Sequence, residues 1–441
     1  MFNTNTWVSI ALGLMLISPV QSFAAEVTDI ADAVDTVTIG DYTKSDLFDA
    51  YLSTSFELRF ESGIIAREGV AADCSQDNPS GCEPVEELQW NKSTSTLNID
   101  AEIGLFRDLS FTLRLPIIVA QSLSFEYADG ITATQSSVDP DSGNANDTLF
   151  SIPAKYTHSG VGNLELGLRY GPFNDARDHT KPNWIMFFKW AMPWTTKIHR
   201  PGQDTSDTQR PVGTGVHYIT FGTALSKRVA NLGLIGIDPK LYRRGYLDPY
   251  FSIAYVMPVP DRSLAEEPLL VKAGTKFGMK PSHQAKLTAG LEIVPFEELK
   301  EGQRFVVDIG MRANFHSEGR NYSFLTDPLE ELTYTDQFLE IGGRISFVGQ
   351  PMENIKLVGS FEMGSRSKHF LTNENIGEDA NGDNEVDEDD GLDNLNPWWC
   401  GNSPGDKCDP AAQQSYDQIG YRFRDQGHTY WSLNFKLQFL L

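Results

Sequence analysis

The chain has 441 residues, of which 40 % are hydrophobic, and a formal net charge of -24. Acidic residues outnumber basic ones 60 to 36, and binding to phosphates needs clustered Lys and Arg, so the composition excludes a nucleic-acid partner. After residue 24 there is no run of about 18 apolar residues, so we expect no transmembrane helix. The length suits two soluble domains or one large barrel.

Residues 1–24 have the pattern of a secretory signal peptide. An apolar run extends from Val8 to Val20, and the small residues Ser22 and Ala24 follow with the spacing that signal peptidase prefers. Because the first seven residues contain no charged side chain, a buried N-terminal core segment is the alternative. We predict a mature chain that starts near Ala25, a periplasmic segment over residues 25–46 and one barrel over residues 47–441.

From residue 53 onward the chain alternates apolar and polar residues, as strands of a lipid-facing barrel do over about ten residues. The clearest segments are 164–170, 287–293, 305–315 and 431–441. Weaker matches cover 53–61, 95–105, 110–119, 183–193, 215–227, 247–257, 269–278, 334–348 and 353–365. Single-chain bacterial barrels have an even number of strands, so a further strand is expected at 320–326. The predicted count is about 14, and 12 is the alternative.

The connections and the aromatic residues favour a membrane barrel over a soluble β-sandwich, whose strands would also alternate but are usually shorter. Tight connections at 106–109, 280–283 and 349–353 should be short periplasmic turns. Long outer loops should cover 66–92, 121–160, 195–213 and 366–427. Aromatic residues expected at the membrane interfaces are Phe106, Trp184, Trp190, Trp194, Tyr246, Tyr250, Phe296, Tyr334, Phe347 and Trp431. We therefore predict an all-β, antiparallel, transmembrane up-and-down β-barrel in the outer membrane of a Gram-negative bacterium.

Four cysteines form two pairs, Cys74 with Cys82 and Cys400 with Cys408, each eight residues apart in a polar loop. In an exported protein the simplest interpretation is two local disulfides that staple the loops at 66–92 and 366–427. A zinc site that uses all four cysteines is the alternative, although paired zinc ligands usually lie closer together in sequence.

Three stretches carry a family resemblance: SGVGNLELGLRY at 159–170, KWAMPWTTK at 189–197 and VGTG at 212–215. They resemble the outer-membrane channel family associated with meta-pathway degradation of phenols, which is similar to the long-chain fatty-acid channels. Asn163 replaces the Asp of that family's G-x-G-D-L pattern, and Pro193-Trp194-Thr195 replaces its P-T-G. The resemblance implies a barrel that passes small, often apolar or aromatic molecules, and it carries no catalytic residues.

The faces opposite the apolar ones contain nine acidic and eleven basic residues, so the predicted lumen is near neutral. The lumen-lining candidates are Glu57, Arg59, Glu61, Asp100, Glu102, Arg114, Glu165, Arg169, Lys189, Lys272, Lys276, Lys286, Glu292, Asp308, Arg312, Glu340, Arg344, Lys356, Glu362 and Lys436. They could form a salt-bridged plug, line a wet pore with opposing charges, or only brace the interior.

The acidic loop DANGDNEVDEDD at 379–390 has the spacing of a calcium-binding loop. Its candidate ligands are Asp379, Asn381, Asp383, Glu385 through its carbonyl, Asp387 and Asp390. A solvated acidic loop without metal is the alternative, and no cofactor is required by the predicted function.

The sequence contains no H-E-x-x-H, no G-x-S-x-G and no phosphate-binding loop, so catalysis is not predicted. Three functions are considered: a channel for small molecules, a structural or surface-interaction barrel that acts through its acidic loops, and a barrel hydrolase. The expected partners are outer-membrane lipid and lipopolysaccharide, the barrel-assembly machinery and a small-molecule permeant.

Overall fold

The computed structural model describes residues 50–68, 84–106, 108–138, 149–173, 180–194, 212–228, 230–231, 246–260, 279–298, 302–329, 331–352, 354–374, 412–413 and 415–440. Several predicted features lie outside these residues. They are the signal peptide, the segment 25–46, the four cysteines, the acidic loop 379–390, Lys272 and Lys276.

The described chain is almost entirely β-strand. The strands are β1 (Ala50–Glu68), β2 (Pro84–Phe106), β3 (Leu109–Tyr127), β4 (Ala154–Val161), β5 (Leu164–Phe173), β6 (Asn183–Met192), β7 (Val216–Ser226), β8 (Ala230–Asn231), β9 (Tyr246–Pro260), β10 (Gln284–Glu298), β11 (Gln303–His316), β12 (Gly319–Asn321), β13 (Thr333–Thr335), β14 (Phe338–Met352), β15 (Ile355–Arg366), β16 (His369–Phe370) and β17 (Phe423–Leu440). One 3-10 turn covers Ala133–Gln135, and one short helix, α1, covers Thr326–Leu329. Within the described ranges, no helix is long and apolar enough to cross a membrane.

The main sheet closes on itself, because β1 pairs with β2 along one edge and with β17 along the other. The order around the barrel is β1, β2, β3, β5, β6, β7, β9, β10, β11, β14, β15 and β17, with every pair antiparallel. Short β4, β8 and β16 pair beside β3, β9 and β17. Twelve strands thus close an antiparallel barrel, the smaller of the two predicted counts.

One predicted strand does not enter the barrel wall, and another, at 269–278, lies outside the described residues. In the wall, β9 pairs directly with β10. Of the segment predicted as a strand at 320–326, only Arg320 and Asn321 are in a strand, β12, which pairs with Thr333–Thr335 in a separate hairpin, and α1 begins at Thr326. Polar alternation over a few residues is too short to tell a wall strand from a folded loop.

The barrel exposes apolar side chains on its outer face and buries charged ones inside, which is the reverse of a water-soluble β-protein. Phe435 and Met363, on the outer face, are 61 % and 59 % exposed, whereas the inward carboxylates of Asp248 and Glu292 are each 1 % exposed. Soluble proteins bury apolar groups and expose charges, so this wall suits contact with hydrocarbon. The alternation predicted this arrangement, but Tyr246, Tyr250 and Tyr334 are buried and are not part of an interfacial aromatic belt.

The two ends of the barrel differ in their connections. At the turn end, Phe106 is followed by Leu109 in the next strand, and Met352 by Ile355, as predicted. The predicted tight connection at 280–283 is wrong, because it leads into β10 at the opposite loop end. At the loop end, β1 continues to Glu68 and β2 begins at Pro84, so the strands extend into the predicted loop 66–92. The turn-end connection 227–245, between β7 and β9, is as long as the predicted strands at 215–227 and 247–257 imply, and it is an exception to the short turns predicted for that end.

Candidate functional site in the barrel interior

The connection between β11 and β14 enters the loop end of the barrel, and we call residues 317–337 the crossing segment, described except for residue 330. Phe324 of this segment stacks on Trp90 of β2, with ring centroids 4.1 Å apart. β2 and β11 are five steps apart in the order β2, β1, β17, β15, β14, β11. The crossing segment therefore spans the interior from one wall to the far wall.

A second anchor holds the crossing segment against β4. Asp327 of α1 lies 2.9 Å from Nε2 of His158, and both side chains are almost completely buried. The Tyr322 hydroxyl lies 3.3 Å from the same nitrogen. Buried charged groups are costly unless they are paired, so this contact fixes the position of α1 strongly.

Apolar side chains fill the loop end along the wall formed by β17, β1, β2 and β3. The buried cluster contains Ile65, Leu88, Trp90, Leu123, Phe125, Val138, Phe150, Ile152, Leu325, Leu371, Tyr416 and Phe423. Leu325 comes from the crossing segment, and Leu371 and Tyr416 come from the connection between β15 and β17. Because loop residues pack into this cluster, the loop end is sealed on this side by a hydrophobic core.

Beside the crossing segment lies a cavity of about 280 Å³, which we call the chamber. Six of its lining side chains carry rings: Tyr218, His316, Tyr322, Phe324, Phe338 and His369. Lys92 of β2 and Arg366 of β15 also line it, together with Asp327. Burial lowers the pKa of His369, which lies outside the barrel wall, so this imidazole is neutral at neutral pH. The chamber is therefore amphipathic, with aromatic walls and two cationic groups.

Below the chamber, a network of charges joins walls that are not neighbours. Arg59 of β1 lies 2.8 Å from Glu61 and 3.6 Å from Glu340 of β14, although β17 and β15 separate these strands. Arg312 lies 2.7 Å from Glu362, two strands away. Side chains can meet across intervening strands only on the concave side, so these residues face the interior.

Towards the turn end, the interior charges are packed more tightly. Arg228 donates hydrogen bonds to Asp248 and Glu297, and Arg304 donates one to Glu292. All five side chains are at least nine-tenths buried. Arg228 belongs to the long connection after β7, so this cluster attaches that connection to the inner wall of β9, β10 and β11.

The structure pairs most of the predicted lumen residues. Further ion pairs join Arg169 to Glu102 at 2.8 Å, Lys189 to Glu165 at 2.9 Å, Arg114 to Asp100 at 3.5 Å and Arg344 to Asp308 at 2.7 Å. The remaining described candidates also alternate with outward apolar residues on their strands, as Lys286 does with the exposed Leu287, so they face inward. They are Glu57, Lys286, Lys356 and Lys436. Of the arrangements that the sequence left open, these ion pairs fit a salt-bridged interior better than a wet pore lined with opposing charges.

Sequence reasoning missed several residues of the site. Lys92 and Arg366 continue the inward alternation of β2 and β15 just beyond the predicted strand ends, so a longer strand assignment would have found them. Nothing in the sequence points to the contact between His158 and Asp327, which are 169 residues apart. Such pairings become visible only in the folded chain.

The motif at 159–170 lies where the wall beside β3 is interrupted between β4 and β5. The Gly162 N–H donates to the Pro116 carbonyl at 2.8 Å, and the Trp194 indole donates to the Gly162 carbonyl at 3.2 Å. Asn163, the departure from the family's Asp, donates to the Val216 carbonyl at 3.2 Å. These residues tie three parts of the wall together near the loop end.

One pair has the geometry of an acid and histidine in a hydrolase. Nδ1 of His428 lies 3.1 Å from Asp425, and its Nε2 has no hydrogen-bond partner among the residues that the structure describes. This nitrogen lies 3.9 Å from Glu61, and the ring packs edge-on against Trp90 and Phe324. Within the described part of the chain, no hydroxyl group forms a hydrogen bond with this imidazole, which is buried beneath the rings of Trp90 and Phe324. In the ranges the structure describes, no group of three His, Cys, Asp or Glu side chains could hold a metal ion.

No family model matches this sequence, and no curated protein matches it. Among solved structures, an outer membrane channel from Pseudomonas putida F1 is 8 % identical, with a TM-score of 0.36 over 88 % of this chain and 95 % of that chain. A FadL homologue from Pseudomonas aeruginosa is 8 % identical, with a TM-score of 0.31 over 89 % and 90 %. The outer membrane protease OmpT from Escherichia coli is 7 % identical, with a TM-score of 0.28 over 89 % and 96 %.

Proposed function

We propose that this chain is an outer-membrane channel for small molecules in a Gram-negative bacterium. The observation that carries the proposal is the chamber of about 280 Å³ inside a closed barrel whose outer wall exposes large apolar side chains. Small-molecule sites typically have volumes of about 300 Å³ or more and combine apolar walls with a few polar groups. Lipid and lipopolysaccharide would then contact the outer wall, and the barrel-assembly machinery would insert it.

The permeant we propose is aromatic rather than a saturated hydrocarbon. The resemblance at 159–170 implies small apolar or aromatic molecules, and the chamber presents the rings of Tyr218, Phe324 and Phe338. Stacked or edge-to-face rings stabilise one another by about 0.5–1.5 kcal/mol beyond their area burial. A saturated chain would gain only the burial of its surface, and it would desolvate Lys92 and Arg366 without compensation.

Passage requires the crossing segment to move. Phe324, Leu325 and Asp327 attach it to the far wall, to the apolar cluster and to β4, so it obstructs the described interior beside the sealed side of the loop end. Both anchors are side-chain contacts of one short segment, and a displacement of that segment would connect the chamber with the outside. We propose that the channel is closed at rest and opens when this segment is displaced.

Conductance of the refolded mature protein in a planar bilayer tests the proposal, with a liposome uptake assay for benzene derivatives alongside. We expect infrequent openings and measurable uptake. Adding millimolar calcium tests the predicted loop at 379–390, whose binding should change the opening frequency. A folded barrel that shows neither openings nor uptake would contradict the channel.

One observation favours the alternative of a structural or surface-interaction barrel, namely the packed cluster around Leu325 and Leu371 at the loop end. If that packing never opens, the long loops would be the functional part. The hydrolase alternative has weaker support, because His428 is 1 % exposed and Trp90 and Phe324 pack against its ring.

A further inference from the structure

Two sets of stacked rings border the chamber. On one side, Phe338 lies between His316 and His369, with both centroid distances 4.4 Å. On the other side, Phe324 is backed by the Trp90 ring. Both sets present aromatic surface to the same volume, which favours a flat, unsaturated guest.

A guanidinium group lies between these ring sets. The central carbon of Arg366 is 5.3 Å from the Phe338 centroid and 5.8 Å from the Phe324 centroid. Nζ of Lys92 is 5.9 Å from the Phe324 centroid. Lys92 and Arg366 keep side-chain exposures of 25 % and 17 %, so both cations remain accessible from the chamber.

The acids that partner these cations lie behind them and do not line the chamber. Glu61 is 3.4 Å from Lys92 and 3.6 Å from Arg366, and Glu340 is 2.8 Å from Arg366. Both acids are shared, since Arg59 contacts each of them as well. Lys92 therefore shares one carboxylate with Arg59, and Arg366 shares two.

Two cations and one acid face the chamber itself, namely Lys92 and Arg366 with Asp327. The ion pairs behind them join Arg59, Lys92, Arg312 and Arg366 to Glu61, Glu340 and Glu362, and continue through His428 to Asp425. The acid that does line the chamber, Asp327, is held by His158. An anionic guest would accept hydrogen bonds from Lys92 and Arg366, whereas a neutral apolar guest would displace water from both cations without replacing those hydrogen bonds.

We propose that the chamber is a binding site for a small aromatic anion, such as a single-ring carboxylate. The ring would pack against the chamber faces of Phe324 and Phe338 beside the guanidinium, and the carboxylate would accept hydrogen bonds from Arg366 and Lys92. The inference deepens the proposed channel function, on which it rests for the ligand's passage. It departs from the apolar permeants that the resemblance implies, because the chamber faces two cations.

Binding is measured by calorimetry on the refolded full chain in detergent, with three probes of similar size. Benzoate has both the ring and the charge, benzamide has the ring alone, and cyclohexanecarboxylate has the charge alone. Hydrogen bonds to charged groups are stronger than those between neutral groups, so we expect benzoate to bind about tenfold or more tightly than benzamide. It should also bind more tightly than cyclohexanecarboxylate.

Variants locate the site. Lys92→Gln and Arg366→Gln should each weaken benzoate binding about tenfold, and Arg366→Lys should restore part of the loss. Lys155→Gln is the matched control, because it removes the same charge from an exposed position on β4 away from the chamber. Unchanged far-UV circular dichroism shows that each variant is folded.

Equal affinities for benzoate and benzamide would overturn the proposal that the site recognises a negative charge. Equal affinities for benzoate and cyclohexanecarboxylate would overturn the proposal that it recognises an aromatic ring. Equal losses in Lys155→Gln and the chamber variants would overturn the location. Conductance separates the two proposals. Site-specific binding without openings or uptake would contradict only the channel, whereas uptake without benzoate binding would contradict only this site.

Discussion

At the scale of single residues, inward glycines make room for a tyrosine that lies flat on the inner wall. A Cβ atom at Gly342 or Gly364 would meet the Tyr430 hydroxyl, which donates a hydrogen bond to Glu362 at 3.0 Å. The next residue, Gly343, points outward, and a Cβ there would meet nothing within 4 Å. The two adjacent glycines therefore have different roles despite identical chemistry.

We predict that Gly342→Ala destabilises the barrel by about 1–3 kcal/mol, because the added methyl group overpacks the site and displaces Tyr430. Gly343→Ala should change the free energy of unfolding by less than about 0.5 kcal/mol. Urea unfolding of both variants in lipid vesicles, followed by tryptophan fluorescence, measures the difference. Equal effects would show that Tyr430 can move aside without cost.

The buried imidazole of His369 makes the stability of the barrel depend on pH. Burial lowers the pKa of His369 in the folded state below 6.5, the value in the unfolded chain. The free energy of unfolding is therefore unaffected by this group above pH 6.5, and it decreases as the pH falls below that value, because the unfolded chain binds the proton more readily. Asp417 acts in the opposite sense, because burial raises its pKa and its contribution is lost as pH rises. Only a comparison with a variant isolates His369.

We therefore expect acidification from pH 7.5 to 5.5 to lower the melting temperature more in the parent than in His369→Gln. Circular dichroism at the two pH values provides the four melting temperatures, and the difference of differences removes Asp417 and other groups. Identical shifts in parent and variant would mean that His369 is protonated in the folded barrel without cost.

At the scale of elements, the crossing segment depends on two anchors. Phe324→Ala removes the ring that stacks on Trp90, and Asp327→Asn removes the charge beside His158. Loss of either contact should favour the displaced state, and each 1.4 kcal/mol corresponds to about a tenfold change in population. We expect either variant to raise the open probability in planar bilayers by about tenfold or more.

The matched control is Phe361→Ala, which makes the same change on the outer face, where Phe361 is exposed. It should leave the open probability close to that of the parent. If Phe324→Ala and Phe361→Ala behave alike, the crossing segment does not close the channel.

The strands of the barrel wall could be predicted from the sequence, whereas the hairpin and the chamber inside the barrel could not. Strands such as β11 and β17 present one apolar and one polar face, and a lipid-facing wall forces that alternation, so the local pattern was sufficient. The hairpin of β12 and β13 has no such constraint, since its three-residue strands face neither lipid nor a continuous core. The chamber could not be predicted, because it depends on contacts such as Phe324 with Trp90, which join distant parts of the chain.

At the scale of the whole molecule, the proposed membrane location makes stability depend on depth. Phe435 lies in the middle of the outward apolar stretch of β17 between Trp431 and Phe439, and Thr429 is the next outward residue towards the loop end. An arginine at the bilayer midplane of a barrel costs about 2–4 kcal/mol, but near the interface it costs about 0–1 kcal/mol. Phe435→Arg should therefore destabilise the barrel in lipid vesicles by about 2–4 kcal/mol, and Thr429→Arg by less than about 1 kcal/mol. Both variants add the same group to the same strand, so reversible urea unfolding reports the environment rather than the residue. If both cost the same, the apolar band does not face hydrocarbon, and the outer-membrane location is wrong along with the channel that depends on it.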